Sequence, residues 1–316
     1  MTSPTLSIVI PARTRTDPQL SELLDSIKRQ SFPQDQLEVL VITEGNSEQA
    51  KAYGIQKAKG KYIGLFCADN YLRDENLLQS ACWHLDHYPK LTGVYTAQYD
   101  YVSSDKALSR YFALLGANDP LCWWLGKADR QSYLQPPKIG TIKVYPEQIP
   151  SIGCNGFFVR SELMKKVVTN PDRHFPMDAV VDLIHSGHDL FYRLPIKVWH
   201  KSGESMLDYF RRRYVYTRDL YFRQKEKRRW HMVDSRMDWA RSLLFLIGSL
   251  LVVPNLVTAI RGFRRVHDWS WFMHVGVSYC LSILYVACFL RWGLLRCRSS
   301  SVLTSVPIPL SDVSRV

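Results

Sequence analysis

The chain has 316 residues, enough for one sizeable α/β domain with appendages, and carries a formal charge of +12 at pH 7. That excess is uneven: residues 1–200 hold 22 Lys/Arg against 21 Asp/Glu, residues 201–241 hold 12 against 6, and the rest 7 against 2. Cations confined to the flank of apolar C-terminal runs point to an anionic membrane surface and argue against nucleic acid, whose binders spread positive charge over the folded face.

The start, Met-Thr-Ser-Pro-Thr, has no basic segment followed by an apolar core, so the N-terminal part is expected to stay in the cytoplasm. Leu6 to Ala12 is an apolar run ending at a proline, as buried parallel strands read. Asp17 to Gln30 has helical periodicity, with Leu20, Leu23, Leu24 and Ile27 on one face. A second strand over Leu37 to Thr43 ends in Glu44-Gly45-Asn46-Ser47, and a polar helix follows over Glu48 to Lys59. A third strand, Lys61 to Cys67, ends in Ala68-Asp69-Asn70; then come a helix over Asp74 to His87 and a strand over Gly93 to Asp100. This alternation predicts an α/β fold, a Rossmann-like, mostly parallel sheet with helices on both faces and ligands beyond the carboxyl ends of the strands.

Ser104 to Pro150, rich in Trp, Tyr, Pro and Gly, reads as ordered loops covering a site. A turn at Ile152 to Gly156, helices near Ser161 to Val168 and Asp178 to His185, and a strand over Phe191 to Trp199 closing on His200 follow. Met206 to Lys225 reads as a basic amphipathic helix, expected at the headgroup region of a bilayer, with packing of its aromatic face on the preceding domain as the alternative. Ser242 to Ile260 is uncharged and would span roughly 28 Å as a helix; Trp269 to Leu290 would span roughly 33 Å. These predict a transmembrane hairpin, although Arg261, Arg264 and Arg265 in the connection sit uneasily with it, and a re-entrant or interfacial second segment is the alternative. The expected divisions are 1–205 catalytic, 206–241 juxtamembrane, 242–290 transmembrane and 291–316 a flexible tail, loose from Ser299 onward. The expected location is the cytoplasmic membrane, multi-pass, with the catalytic part on the cytoplasmic side.

Seven scattered cysteines without a C-x-x-C pair argue against a disulfide framework or a zinc cluster. No G-x-G-x-x-G follows the first strand, which excludes a nucleotide-dependent oxidoreductase of the usual kind. What stands out is the order Ser-Ile-Val-Ile-Pro-Ala, then Glu-Val-Leu-Val-Ile-Thr-Glu-Gly-Asn-Ser, then Gly-Lys-Tyr-Ile-Gly-Leu-Phe-Cys-Ala-Asp-Asn. Over roughly residues 6–204 this resembles the family-two glycosyltransferases of the GT-A fold.

The resemblance implies an inverting, hexosyltransferase-type enzyme that uses a nucleotide-sugar donor and a divalent metal, Mn or Mg. Its acceptor would be membrane-associated, a polyprenyl phosphate or a lipid-linked glycan. It further implies that Pro11, Ala12 and Arg13 line the nucleotide pocket, that Glu44 contacts base or ribose, and that Asp69 is the metal-binding acid of a D-x-D motif. Gly153-Cys154-Asn155-Gly156 resembles the family's Gly-x-Asn-Gly loop, placing Gly153, Asn155 and Gly156 at the sugar. Met177 to Leu183 occupies the place of the Glu-Asp-x-Asp-Leu helix. Asp178 there is the expected base, and Asp182 is a second acid one turn on or a helix N-terminal acid favoured by the dipole. His200 matches a closing His that ligates the metal in some members. Arg211, Arg212, Arg213 and Arg218 are expected to contact membrane or a phosphate-bearing lipid. Two departures matter: Cys67 replaces the first acid of D-x-D, and Thr43 the first acid of the second signature. A thiol is a poor ligand for a hard cation, so a non-catalytic subunit that binds nucleotide-sugar or scaffolds glycan assembly is the alternative.

Overall fold

The computed structural model describes residues 3–201 and 205–293, so the expected loose tail lies outside the described residues. The first strand, β1 (Leu6–Pro11), leads into α1 (Pro18–Lys28), whose N-terminus is capped by Asp17 accepting from the Gln19 amide. Next come β2 (Leu37–Ile42) and α2 (Ser47–Lys57), the latter opened by a reciprocal Asn46–Gln49 capping box. Then follow β3 (Tyr62–Leu65), β4 (Asn70–Tyr71), α3 (Leu77–His87), β5 (Gly93–Thr96) and β6 (Tyr99–Asp100). The stretch read as loops instead holds α4 (Ala107–Leu115), α5 (Pro120–Trp124) and β7 (Gly140–Lys143). After it come β8 (Phe157–Arg160), α6 (Ser161–Val167), α7 (Pro176–His185), β9 (Leu190–Leu194) and β10 (Val198–His200).

Seven strands form one sheet in the order β2-β1-β3-β8-β5-β9-β7. The β1–β2, β1–β3 and β5–β9 pairings are parallel, whereas β3–β8, β5–β8 and β7–β9 are antiparallel, so the sheet is mixed and not mostly parallel. Alternation along β1 sends Leu6, Ile8 and Ile10 to the face covered by α1 and α3, and Val9 to the face covered by α2. Each such buried side chain contributes about 1.5–3 kcal/mol. A second sheet, β4-β10-β6, sits over the carboxyl edge of the first and brings His200 into register with Asn70.

The C-terminal part begins with α8 (Met206–Tyr216), continued by a π turn through Arg223. Its Tyr209 is fully buried with Phe112 of α4, so one side of this helix packs on the domain. Two helices follow, α9 (Arg236–Leu250) and α10 (Val253–Arg265), bent by 87° where one straight span was expected. Pro254 explains the break: it has no N–H to give to the Leu250 carbonyl, and its ring clashes with that carbonyl in a continuous helix. Val252 takes up the turn at φ 65°.

The last helix, α11 (Met273–Cys288), lies within a continuous helical run, Trp269–Trp292. Among the described residues this run is the one helix long and apolar enough to cross a bilayer unaided. Where a hairpin of two spans was expected there are a bent pair, which has the composition of a broken span or a re-entrant loop, and one straight helix. Ion pairs fasten these elements to the sheet domain: the buried Lys127–Asp238 at 2.8 Å and Arg213–Asp119 at 3.3 Å, and the half-buried Arg110–Asp268 at 2.9 Å.

Candidate functional site

The carboxyl ends of β1, β2, β3, β5 and β9 and the entry to antiparallel β8 share one edge of the sheet. Asp69 stands there, four residues beyond β3. Its Oδ2 is 3.0 Å from Nε2 of His200, brought in by β10, while its Oδ1 is buried without a hydrogen-bond partner. Burial alone would raise the Asp69 carboxyl, but the charge and hydrogen bond of His200 outweigh it and hold the group below its usual range. The same pairing overcomes burial at His200 and raises the imidazole.

The loop before β8 needs its glycines. Gly153 (φ 134°) and Gly156 (φ 82°) adopt backbone that disfavours side chains, and a Cβ on Gly156 would lie 2.8 Å from Val198 Cγ2. Between them Asn155 also has positive φ, at 56°. Its side chain joins a relay: Asn70 donates to Asn155 at 3.2 Å, Asn155 donates to the Tyr99 hydroxyl at 3.0 Å, and Tyr99 donates to Asp129. Arg130, almost wholly buried, clamps the loop by donating to the Asn155 carbonyl at 2.5 Å and to Thr96 at 2.9 Å. Asp129, Tyr99, Asn155, His200, Asn118 and Arg212 line one cavity. Burial pushes the Asp129 carboxyl up, and the opposing pull of Arg130 and Tyr99 does not restore it.

Asp129, Tyr99 and Arg130 were missed from sequence. The one signal available was a Lys127-Ala128-Asp129-Arg130 charge cluster inside an aromatic, apolar stretch.

Asp178 does not line that cavity. It is 0% exposed, its Oδ1 accepts the amides of Arg229 (3.1 Å) and Trp230 (2.9 Å), and its Oδ2 lies 3.3 Å from Arg228 Nε. With α7 starting at Pro176, Asp178 is the acid of the first turn, the place offered for Asp182, and Asp182 lies within the helix. Asp182 pairs with Arg229 at 2.6 Å and borders a second cavity with Asn170, Arg173 and His174. Pro11, Ala12, Arg13 and Glu44 lie at neighbouring strand ends, outside the cavity of Asp129 and His200; Glu44 is exposed, 3.8 Å from Lys57. The four arginines separate: Arg212 lines the cavity, Arg213 is buried against Asp119, Arg218 pairs with Asp219, and Arg211 is exposed near Asp208.

Cys67 and Cys154 come together at this edge, sulfur to sulfur at 3.1 Å. The hydrogen bond from Cys67, aided by the Lys51 charge and against burial, lowers Cys154 to about 7, and the same contact with burial pushes Cys67 up.

No family model matches the chain, and no curated protein does. Among solved structures it is similar to the 1–349 segment of TarS from S. aureus, at 13% identity and TM-score 0.44, covering 92% of each chain. The same segment in complex with UDP-GlcNAc aligns at 13% identity and TM-score 0.42, again over 92% of each chain. The mannosyltransferase PcManGT from Pyrobaculum calidifontis, in complex with GDP-Man and Mn2+, aligns at 13% identity and TM-score 0.40, over 96% of this chain and 77% of that one. Likenesses this loose decide neither fold nor activity, which rest on the chain's own topology and side chains.

Proposed function

We propose that this chain is a glycosyltransferase that moves a sugar from a nucleotide-sugar to a membrane-associated acceptor, a polyprenyl phosphate or a lipid-linked glycan. The observation that carries the reading is the unpartnered buried Oδ1 of Asp69, whose Oδ2 is bonded to His200, a residue that lines a cavity together with Asp129 and Arg212. An orphaned carboxylate oxygen beside an imidazole fits a divalent cation, Mn or Mg. Among the described residues no group of three or more His, Cys, Asp or Glu converges, so Asp69 and His200 would hold it with diphosphate oxygens and water as the remaining ligands. When bound, such an ion neutralises charge on the departing diphosphate.

The chain's own residues supply the rest. Arg212 adds positive charge to the cavity for a phosphate of donor or acceptor. Asp129, poised by burial and held by Tyr99, takes the place expected of Asp178 as the base for an acceptor hydroxyl. The acceptor oxygen attacks the anomeric carbon, its proton passes to Asp129, and the bond to the diphosphate oxygen breaks in one inverting displacement. A phosphate acceptor would need no base.

Outward-facing Leu243, Leu244, Ile247, Val253, Ile283 and Leu290 on the C-terminal helices support a bilayer as the surrounding medium. In this reading α11 crosses the cytoplasmic membrane, the bent α9–α10 pair lies in its interface, and the cavity faces the cytoplasm.

The test is turnover of nucleotide-sugars by the purified full-length protein with manganese or magnesium, in wild type and Asp129→Asn. Sugar release or transfer by wild type that collapses in the variant supports the reading. Absence of turnover across donors and both metals counts against it.

A further inference from the structure

We propose that Cys67 and Cys154 are a redox pair that forms a reversible intramolecular disulfide and locks the candidate site. Their sulfurs are 3.1 Å apart although the residues are 87 positions apart in the chain. The antiparallel register explains the meeting: Leu65 faces Phe157, so the chain running off β3 and the chain entering β8 pass side by side at these two residues. The backbone there is already fixed, with the Gly156 amide on the Leu65 carbonyl at 2.9 Å and Asn70 bonded to both Cys67 and Asn155. Both thiols are partly exposed, whereas Cys82, Cys122 and Cys288 are buried, and Cys280, though exposed, lies on α11.

The chemistry is thiol–disulfide exchange with a small disulfide such as oxidised glutathione. One cysteine sulfur, giving up its proton, attacks the reagent and expels one glutathione thiolate. The second cysteine, likewise deprotonated, then attacks the mixed disulfide and expels the other glutathione thiolate. Two protein thiols are oxidised, one disulfide is reduced, and the two protons end on the two glutathiones. Bonding at about 2.05 Å brings the two sulfurs about 1 Å closer and ties the two loops to each other covalently. Asp69 is two residues from one sulfur and Asn155 adjoins the other, so the lock acts on the donor side of the site. Where the tie shifts Asp69 or Asn155 by about 1 Å, the rate would fall on the order of 10²-fold. Cysteine pairs in a reducing compartment that do oxidise are characteristically transient and redox-sensing. The effect on turnover rests on the transferase reading above; the disulfide itself does not.

The experiment equilibrates the full-length detergent-solubilised protein in reduced and oxidised glutathione mixtures, traps remaining thiols by alkylation and maps peptides by mass spectrometry. The expected result is a 67–154 crosslink that dithiothreitol reverses, is absent in Cys67→Ser and in Cys154→Ser, and persists in Cys280→Ser. Exchange of backbone amides over residues 152–157 should slow in the oxidised form. The proposal is overturned if oxidised glutathione modifies Cys280 yet Cys67 and Cys154 stay free, or if each carries only a mixed disulfide. A reversible crosslink in a protein that turns over no nucleotide-sugar in its reduced form would uphold the thiol pair and count against the transferase reading, so the two fail separately.

Discussion

Replacing Asp178 by asparagine separates a structural carboxylate from a catalytic base. The native carboxylate is wholly buried, binds two amides of the 229–230 turn and neutralises Arg228, whose side chain is 9% exposed. Asparagine keeps an oxygen for the amides but strands the guanidinium, which retains only its stacking on Phe175 at 4.4 Å. Breaking a buried pair from one side costs about 3–5 kcal/mol. At about 2–4 °C per kcal/mol for a domain of this size, the melting temperature should fall by roughly 6–20 °C. Restoring neutrality with Arg228→Met in the same chain should recover most of that loss, because the two positions are directly coupled. Thermal unfolding of wild type, both single variants and the double variant, together with nucleotide-sugar affinity of the folded protein, provides the readouts. An unchanged melting temperature with intact donor binding and abolished transfer would refute the structural assignment and return Asp178 to the role of base.

Asp129→Asn should lower turnover by about 10²–10⁴-fold while leaving donor affinity intact, as loss of a general base does. Because burial keeps Asp129 protonated to higher pH than an ordinary aspartate, wild-type turnover should fall as pH drops through that raised value, and the variant should lose this acid limb. Gly156→Ala should destabilise the fold by at least about 1–2 kcal/mol, since φ of 82° disfavours any side chain and the new Cβ presses on Val198 beside His200; an unchanged unfolding midpoint would contradict the tight approach. Ile283→Arg, on the outward side of α11, should cost about 2.5–3.5 kcal/mol of insertion and shift the protein out of the carbonate-resistant membrane fraction. A variant that partitions like wild type would argue against α11 as the crossing helix.

Much of the sheet was legible because its strands alternate with helices. Leu6–Pro11, Leu37–Ile42 and Tyr62–Leu65 all lie within the apolar runs expected, and Leu20, Leu23 and Ile27 form the buried stripe of α1. The α4 helix was missed although its polar Ser109 and Arg110 and its apolar Leu108, Tyr111, Phe112, Leu114 and Leu115 keep a helical period: it is nine residues long and lies in a stretch whose Trp, Tyr, Pro and Gly content reads as loops. The strands β4, β6 and β10 are two or three residues each, too short for a pattern, yet they bring His200 to Asp69. The length and lack of charge of Ser242 to Ile260 predicted a single span, and Pro254 inside that run, a residue that breaks helices, went unread. Asp69 and His200 could be picked out as an acid and an imidazole at element ends. Asp129 could not, because Tyr99 and His200 that shape its setting are distant in sequence. The burial of Asp178 likewise depends on Arg228, fifty residues further on.

In the proposed reaction Asp69 would hold the divalent cation that neutralises the donor diphosphate. Calorimetric titration of nucleotide-sugar into the full-length protein, with and without manganese, measures this directly in wild type and Asp69→Ala. Wild type should bind the donor more tightly with manganese, and the variant, folded to the same melting temperature, should lose that gain. A variant that keeps the full manganese-dependent gain would contradict the assignment of Asp69.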